Sequence, residues 1–335
     1  MKRRVERIVL FVSFLLITGC TKTGSGLFDK TPEGAINGVF TVNGHGDQVY
    51  FSKGNLQYQA STNTWRFAEN QMDYVGGVTQ YHRELGNVYE NGIKCDNQLI
   101  SSTYDGWIDL FGWATSGWDN NNLYYHPYDY ESDKYSEYNG NGYGYFDGQF
   151  ARYSMTGDQA NCDWGVYNAI SNGGNKPGLW RTLSADEWDY VFNIRRTMSG
   201  IRFAKAIVDE VNGFILLPDN WNADIFRLDS TNVTECDYKV NAIVPTDWNV
   251  LEKSGAVFIP SAGYRDRKAY YQEETLVLYL NHCYTEEGGY WSSSNYSYEG
   301  SCEGAFCLLI TNERIIKSMK NRRSGYSVRL VCSAN

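Results

Sequence analysis

The side chains with the most distinctive chemistry in this 335-residue chain are two thiols, Cys302 and Cys307, in C-x4-C spacing. Two thiolates suit a soft ion such as copper(I). On an extended segment, residues five apart stand ~16 Å from each other and on opposite faces. That is too far for a disulfide or a shared metal unless Glu303-Gly304 turns the chain. A second set, Asp129, Glu131, Asp133 and Glu137, offers the hard oxygen ligands that calcium takes. Lys134 occupies the sixth position of an EF-hand-like frame, where glycine is needed, so that frame fails. The set then reads either as calcium ligands in another geometry or as a solvated acidic loop. A third set, Asn295, Tyr296, Tyr298, Glu299, Ser301 and Glu303, lies in the Tyr/Ser/Asn-rich run Tyr290–Gly304. Such residues give rigid contact area and adaptable hydrogen bonding, as recognition loops do, and point to a glycan or protein ligand. The plainer reading is a solvated polar hairpin. The four histidines lie far apart, outside any metal or triad motif, and no phosphate loop, dinucleotide fingerprint or nucleophile elbow occurs.

Composition excludes several classes. Apolar residues make up 42% of the chain and aromatics 16%, which is incompatible with disorder. A net charge of −9 argues against nucleic acid as a partner. A mean hydropathy of −0.49 with a single apolar run excludes a polytopic membrane protein. Tyrosine is unusually frequent at 27 residues, and eight of these fall between Asp119 and Phe150.

The apolar run Ile8–Ile17 follows Lys2, Arg3, Arg4 and Arg7. Ten helical residues span ~15 Å, about half a bilayer core, so a signal peptide is expected rather than a spanning anchor. Leu16-Ile17-Thr18-Gly19-Cys20 resembles a bacterial lipobox, which makes Cys20 the lipidation site. Residues 1–19 carry four basic side chains and one acidic one, so their removal leaves 316 residues with net charge −12. An acidic body is repelled by anionic surfaces, so the lipid must supply the attachment to the membrane. The seven cysteines beyond Cys20 include no C-x-x-C pair, and being odd in number they leave at least one thiol free.

The elements that must position these groups are mostly strands. Val39–Val42 with Val49–Phe51, and Leu56–Tyr58 with Trp65–Phe67, read as two successive hairpins. Gly106–Gly178 lacks helical periodicity and is expected to lie on the surface, pinned by Trp107, Trp113, Trp118 and Trp164. Ser184-Ala185-Asp186-Glu187 is a capping box opening a helix that buries Trp188, Val191 and Phe192. A second helix is predicted over Thr246–Lys253. Strands are predicted at Gly213–Leu217, Ala256–Ile259, Ala305–Ile310 and Tyr326–Cys332, the last two pairing around the excursion Thr311–Ser324. The fold class is α+β, with helices beside an antiparallel sheet.

The segment Gly178-Leu-Trp-Arg-Thr-Leu-Ser-Ala-Asp-Glu-Trp-Asp-Tyr190 resembles the W-R-L-P-T-x-x-E-W signature of one branch of C-type lectin-like domains. That branch holds the formylglycine-generating enzymes and the Fibrobacter succinogenes major paralogous domain family. Val257–Arg265, Gly289–Ser294 and Gly325–Cys332 follow in the paralogous family's order, so the resemblance covers residues 178–332. It implies a C-type lectin-like fold in which Trp180, Trp188, Arg181 and Arg329 are structural. The two arginines are expected to pair with buried carboxylates or carbonyls, Glu187 among them. It also implies a partner-facing region at Asn295–Glu303, which in some members is diversified by retroelements. Cys302 and Cys307 resemble the copper-binding pair of the enzymes, but lie further beyond Trp291 than that pattern places them. The lectin calcium triplets Glu-Pro-Asn and Trp-Asn-Asp are absent.

These readings combine into a signal peptide at 1–19, a lipidated tether at 20–37 and one C-type lectin-like body at 38–335. The body divides into an N-terminal β segment (38–105), an aromatic insertion (106–177) and a motif-bearing core (178–335). The expected function is non-catalytic binding of a glycan or protein at the bacterial envelope, in an outer-membrane lipoprotein. No cofactor is expected, calcium being the one candidate. The competing readings are a retroelement-diversified adhesin, a copper enzyme of the formylglycine-generating type, and a purely structural surface component.

Overall fold

A computed structural model describes residues 31–76, 102–119, 126–127, 153–272, 275–284, 287–298, 301–322 and 324–334, with side chains for all of these except 266–284, 297–298 and 301–303. The described residues belong to one compact unit, and its first strand opens at Ala35, inside the stretch read as tether. Strands β1 (Ala35–Thr41) and β2 (Gln48–Ser52) form the first expected hairpin. Asn43 closes its turn, its side-chain oxygen accepting from the amides of His45 and Asp47, and Gly46 supplies the left-handed residue at φ 87°. The second hairpin joins β3 (Leu56–Gln59) to β4 (Thr64–Phe67), with β5 (Trp107–Ile108) on the other side of β3.

The central insertion departs from its expected surface position. Its described part contains a 3₁₀ turn, Gly157–Cys162, and a short helix α1, Trp164–Tyr167. Phe111, Trp113, Met155, Trp164 and Ile170 are buried in the same cluster as Trp65, Trp180 and Trp291. Tryptophan carries more apolar area than tyrosine and needs only one acceptor when buried. Trp113 finds the Ser292 carbonyl at 2.8 Å, and Trp291 returns a bond to the Phe111 carbonyl at 2.7 Å. The tyrosine concentration itself, at 124–145, lies outside the described residues.

Strand β6 (Arg181–Thr182) leads into helix α2 (Ala185–Asp189) through the predicted capping box. The Ser184 hydroxyl accepts from the Glu187 amide at 3.1 Å, and the Glu187 carboxylate accepts from the Ser184 amide at 2.8 Å. The helix then widens to a π turn over Tyr190–Ile194 while keeping Trp188, Val191 and Phe192 buried. Fully buried Arg195 ends it with a 2.8 Å ion pair to Asp219, whose other oxygen accepts from the backbone and hydroxyl of Thr41.

A second layer contains β7 (Phe203–Val208), β8 (Val211–Leu216) and β9 (Ala242–Ile243), followed by helix α3 (Pro245–Lys253) and β10 (Val257–Pro260). Its strand order is β10-β8-β7-β9, and Trp221, Trp248, Leu251 and Phe258 fill its own core. Gly255 stops α3 at φ 88°, with its backbone packed against Gly38 of β1 too closely for a side chain on either.

The C-terminal strands pair differently from expectation. After the hairpin of β11 (Tyr264–Gln272) and β12 (Thr275–Tyr284) come β13 (Gly288–Tyr298), β14 (Ser301–Ile310) and β15 (Ile315–Asn321), forming a sheet in the order β13-β14-β15. The stretch Thr311–Ser324 is therefore largely strand. Thr311 turns it, accepting from the Glu313 and Arg314 amides on its hydroxyl, so β14 meets β15 before the last strand arrives. That strand, β16 (Leu330–Ser333), sits between β2 and β6 in a sheet ordered β1-β2-β16-β6. Mixed sheets with few helices place the protein in the α+β class.

Candidate functional site

The root of the β13–β14 hairpin is fastened from several directions. Tyr290 and Trp291 are fully buried. The Tyr290 hydroxyl donates to the Pro260 carbonyl at 2.8 Å and accepts from the Asn55 amide at 3.0 Å. Burial pushes its phenol well above the ordinary range. The serines at 292–294, rich in recognition chemistry by composition, serve the frame instead. Ser292 donates to the Phe306 carbonyl at 2.7 Å, the Ser293 amide to Leu183 at 2.9 Å, and Ser294 accepts from the Ala185 amide at 3.0 Å.

Beyond the root, Asn295 pairs with Ala305 and Tyr296 with Gly304, and both side chains are half-buried. The Ser154 hydroxyl donates to the Asn295 side-chain oxygen at 3.0 Å and accepts from the Asn295 amide at 3.2 Å. Tyr296 stands edge-on to Phe306, with ring centroids 5.4 Å apart. Strand pairing continues to Tyr298↔Ser301. The segment read as a recognition loop is thus a two-stranded extension of the sheet. The side chains of Tyr298, Ser301 and Glu303, and Glu299 altogether, lie outside the described residues. Sequence reasoning missed Tyr153, which is 58% exposed next to Ser154 at the margin of this hairpin. Its place just after the tyrosine-rich stretch was the available signal.

A cavity of about 310 Å³ opens at the hairpin's root, between α2 with its π turn and strands β14 and β15. Trp188, Phe192, Ala185, Leu308 and Ile315 supply apolar walls, and Asp189, Asn193, Thr234 and Lys317 add polar groups. Its volume falls at the low end of the range of about 300–1,000 Å³ typical of small-molecule and side-chain sites. π turns often occur beside functional sites, and this one contributes Phe192 and Asn193 to the lining.

Cys307 also lines the cavity. Burial pushes its thiol up to about 12, so it stays protonated and is a poor nucleophile or metal ligand at neutral pH. Its C-x4-C partner Cys302 has no described side chain. Cys236 and Cys332 are free thiols as well. The calcium candidates Asp129, Glu131, Asp133 and Glu137, and the lipidation candidate Cys20, lie outside the described residues. Among the described residues no group of three His, Cys, Asp or Glu side chains is placed to hold a metal, and no helix is long and apolar enough to cross a membrane.

Three charged groups behave as parts of the frame. Arg181 pairs with Glu187 through two bonds of 2.7 and 2.6 Å, as expected, though its side chain is 40% exposed. Arg329 is fully buried and meets side-chain amides rather than a carboxylate. It donates to the Gln71 oxygen at 2.7 Å, and Gln71 in turn donates to Glu252 at 2.8 Å. Burial lowers its guanidinium to about 10. Buried Asp163 accepts from the amides of Gly165 and Thr182 at 3.0 and 2.7 Å, and burial still raises it to about 6. Comparisons of the chain with protein families, curated proteins and solved structures return no match.

Proposed function

We propose that this protein is a non-catalytic binding module that presents the β13–β14 hairpin to a glycan or protein ligand. The observation that carries the reading is the contrast along one hairpin. Its root is locked by Tyr290, Trp291 and the 292–294 serines, while Asn295 and Tyr296 continue outward, half-buried, beside exposed Tyr153. A rigid platform lowers the entropy cost of binding through polar and aromatic side chains. Tyr298, Glu299, Ser301 and Glu303, read from the sequence, complete the proposed contact set. The C-type lectin-like reading of the fold draws support from the four motif segments, whose Trp180, Trp188, Tyr290, Trp291 and Arg329 are all buried. Attachment to the bacterial envelope through a lipid on Cys20 belongs to the same proposal.

The test is a glycan and protein array probed with the full chain, followed by titration of any hit against Asn295→Ala and Tyr296→Ala. We expect Tyr296→Ala to weaken binding at least tenfold while circular dichroism shows the variant folded, its stability lowered only by the lost ring contact with Phe306, about 0.5–1.5 kcal/mol. An array that stays blank, or a ligand indifferent to both substitutions, overturns the proposal.

A further inference from the structure

The cavity under α2 is walled by groups that strand register puts on one face. In the β14–β15 pair, Leu308 stands opposite Lys317 and Ile310 opposite Ile315. Directly opposed residues share a face and successive ones alternate, so Leu308, Ile315 and Lys317 point the same way. That face meets α2, because Lys317 reaches Asp186 of the helix at 3.6 Å. Trp188 and Phe192 complete the chamber from the helix and its π turn, and with Leu308 and Ile315 they belong to one apolar cluster. Strand β14 is held between β13 and β15, so the floor is formed before any ligand arrives. An apolar chamber with a few polar groups at its opening is the usual build of a small-molecule site.

The polar groups narrow the ligand. The charged residues on the lining are Asp189 and Lys317. Lys317 already has a counter-charge in Asp186. Asp189 is half-buried, and its Oδ1 accepts from the Asn193 side-chain amide at 2.8 Å. Its Oδ2 has no partner among the described residues. One carboxylate oxygen is thus uncommitted beside an apolar chamber. A neutral apolar ligand would leave it unpaired and cover part of its hydration, and an anion would meet both Asp189 and Asp186. An ammonium supplies the missing donor with the opposite charge, and the neighbouring indole of Trp188 is the ring type that attracts cations best.

We infer that this cavity binds a small organic amine, whose apolar body fills the space between Trp188, Phe192, Leu308 and Ile315 and whose ammonium pairs with Asp189. The site uses neither Asn295 nor Tyr296, and it stands without the hairpin face.

The experiment is isothermal titration calorimetry of the full chain with 2-phenylethylamine, alongside 2-phenylethanol and 3-phenylpropionate as neutral and acidic counterparts. The amine should bind with a dissociation constant below about 1 mM, the alcohol at least tenfold more weakly, and the acid not at all. Asp189→Asn keeps the shape of the side chain and should weaken the amine at least tenfold while leaving the alcohol unchanged. Thr234, half-buried on the lining, lies in a loop, so Thr234→Trp should narrow the chamber and weaken amine and alcohol alike. Circular dichroism checks that both variants fold. If Asp189→Asn does not, the ratio of amine to alcohol and the Thr234→Trp variant decide. An amine constant above about 1 mM, an alcohol that binds as well as the amine, or amine binding indifferent to Asp189→Asn overturns the inference. A blank glycan and protein array with amine binding intact would remove the hairpin reading and keep this one.

Discussion

The three-stranded sheet β13-β14-β15 treats its two sides in opposite ways. On the β13 side, Tyr290, Trp291 and Ser292 are buried, and each gives a side-chain hydrogen to a backbone carbonyl in another segment or strand. On the β15 side, Lys317 and Met319 are exposed and the outer backbone edge has no strand beside it among the described residues. One flank is fastened to the body by side-chain bonds, and the other meets no further strand among the described residues. The sharpest way to break that contrast is at Trp291. Its ring packs edge-on to Tyr326 at 5.0 Å, and its N–H holds the Phe111 carbonyl. Trp291→Ala should cost about 3–5 kcal/mol in urea unfolding, the usual cost of emptying a buried tryptophan site. A loss below about 1 kcal/mol would mean that the root is no better fastened than the edge.

A second effect should appear in the pH dependence of stability. Asp109, in the strand-like run that ends at Phe111, is completely buried and accepts from the Val75 and Gly76 amides at 2.6 and 2.9 Å, with Arg265 near it. Burial outweighs these partners and raises its carboxyl to about 7. In the unfolded chain an aspartate titrates near about 3.9. Between those values the folded protein holds a proton that the unfolded chain has released. The stabilisation is therefore complete below about pH 4 and is lost as pH rises through 7, with a total on the order of 4 kcal/mol. Asp163 contributes in the same direction over a narrower window, up to about 6. Urea unfolding between pH 5 and pH 8 should show the native protein weakening with pH and Asp109→Asn weakening less. Equal slopes would place the carboxylate in an ordinary ion pair.

Local signals in the sequence were readable, and pairing at a distance was not. Asn43-Gly-His-Gly-Asp47 and Ser184–Glu187 write their own hydrogen bonds within five residues, so the first hairpin and the α2 cap appear where the pattern puts them. The Arg181–Glu187 pair, six residues apart, is legible for the same reason. By contrast, β5 and β6 are two residues long, too short to show any period. The place of β16 depends on β2, nearly the whole chain away. The burial of the 108–116 run goes with Trp113 finding Ser292, a contact invisible until the sheet exists. For the site, composition marks 290–304 as a Tyr/Ser/Asn-rich run but cannot divide it. Ser292, Ser293 and Ser294 belong to the frame, and Asn295 and Tyr296 to the outer strands, a division set by what packs on each. The cavity had no local signature at all, because its walls come from five separate stretches of chain.

The smallest expected effect lies at the other flank. Lys317 reaches Asp186 at 3.6 Å, but 41% of its own side chain and 96% of that of Asp186 remain exposed. An ion pair so open to water and salt contributes within about 0.5 kcal/mol, and an edge lysine makes no core contact whose loss would add to that. Lys317→Glu should therefore shift the urea midpoint hardly at all, while placing two acidic groups beside each other at a cost that salt screens. Measured at low and at physiological ionic strength, the two stabilities should differ from the native protein's by less than about 0.5 kcal/mol, the smaller difference being at higher salt. A loss above 1 kcal/mol would show β15 to be held as tightly as β13, and the sheet would then have two fastened sides and no free edge to offer.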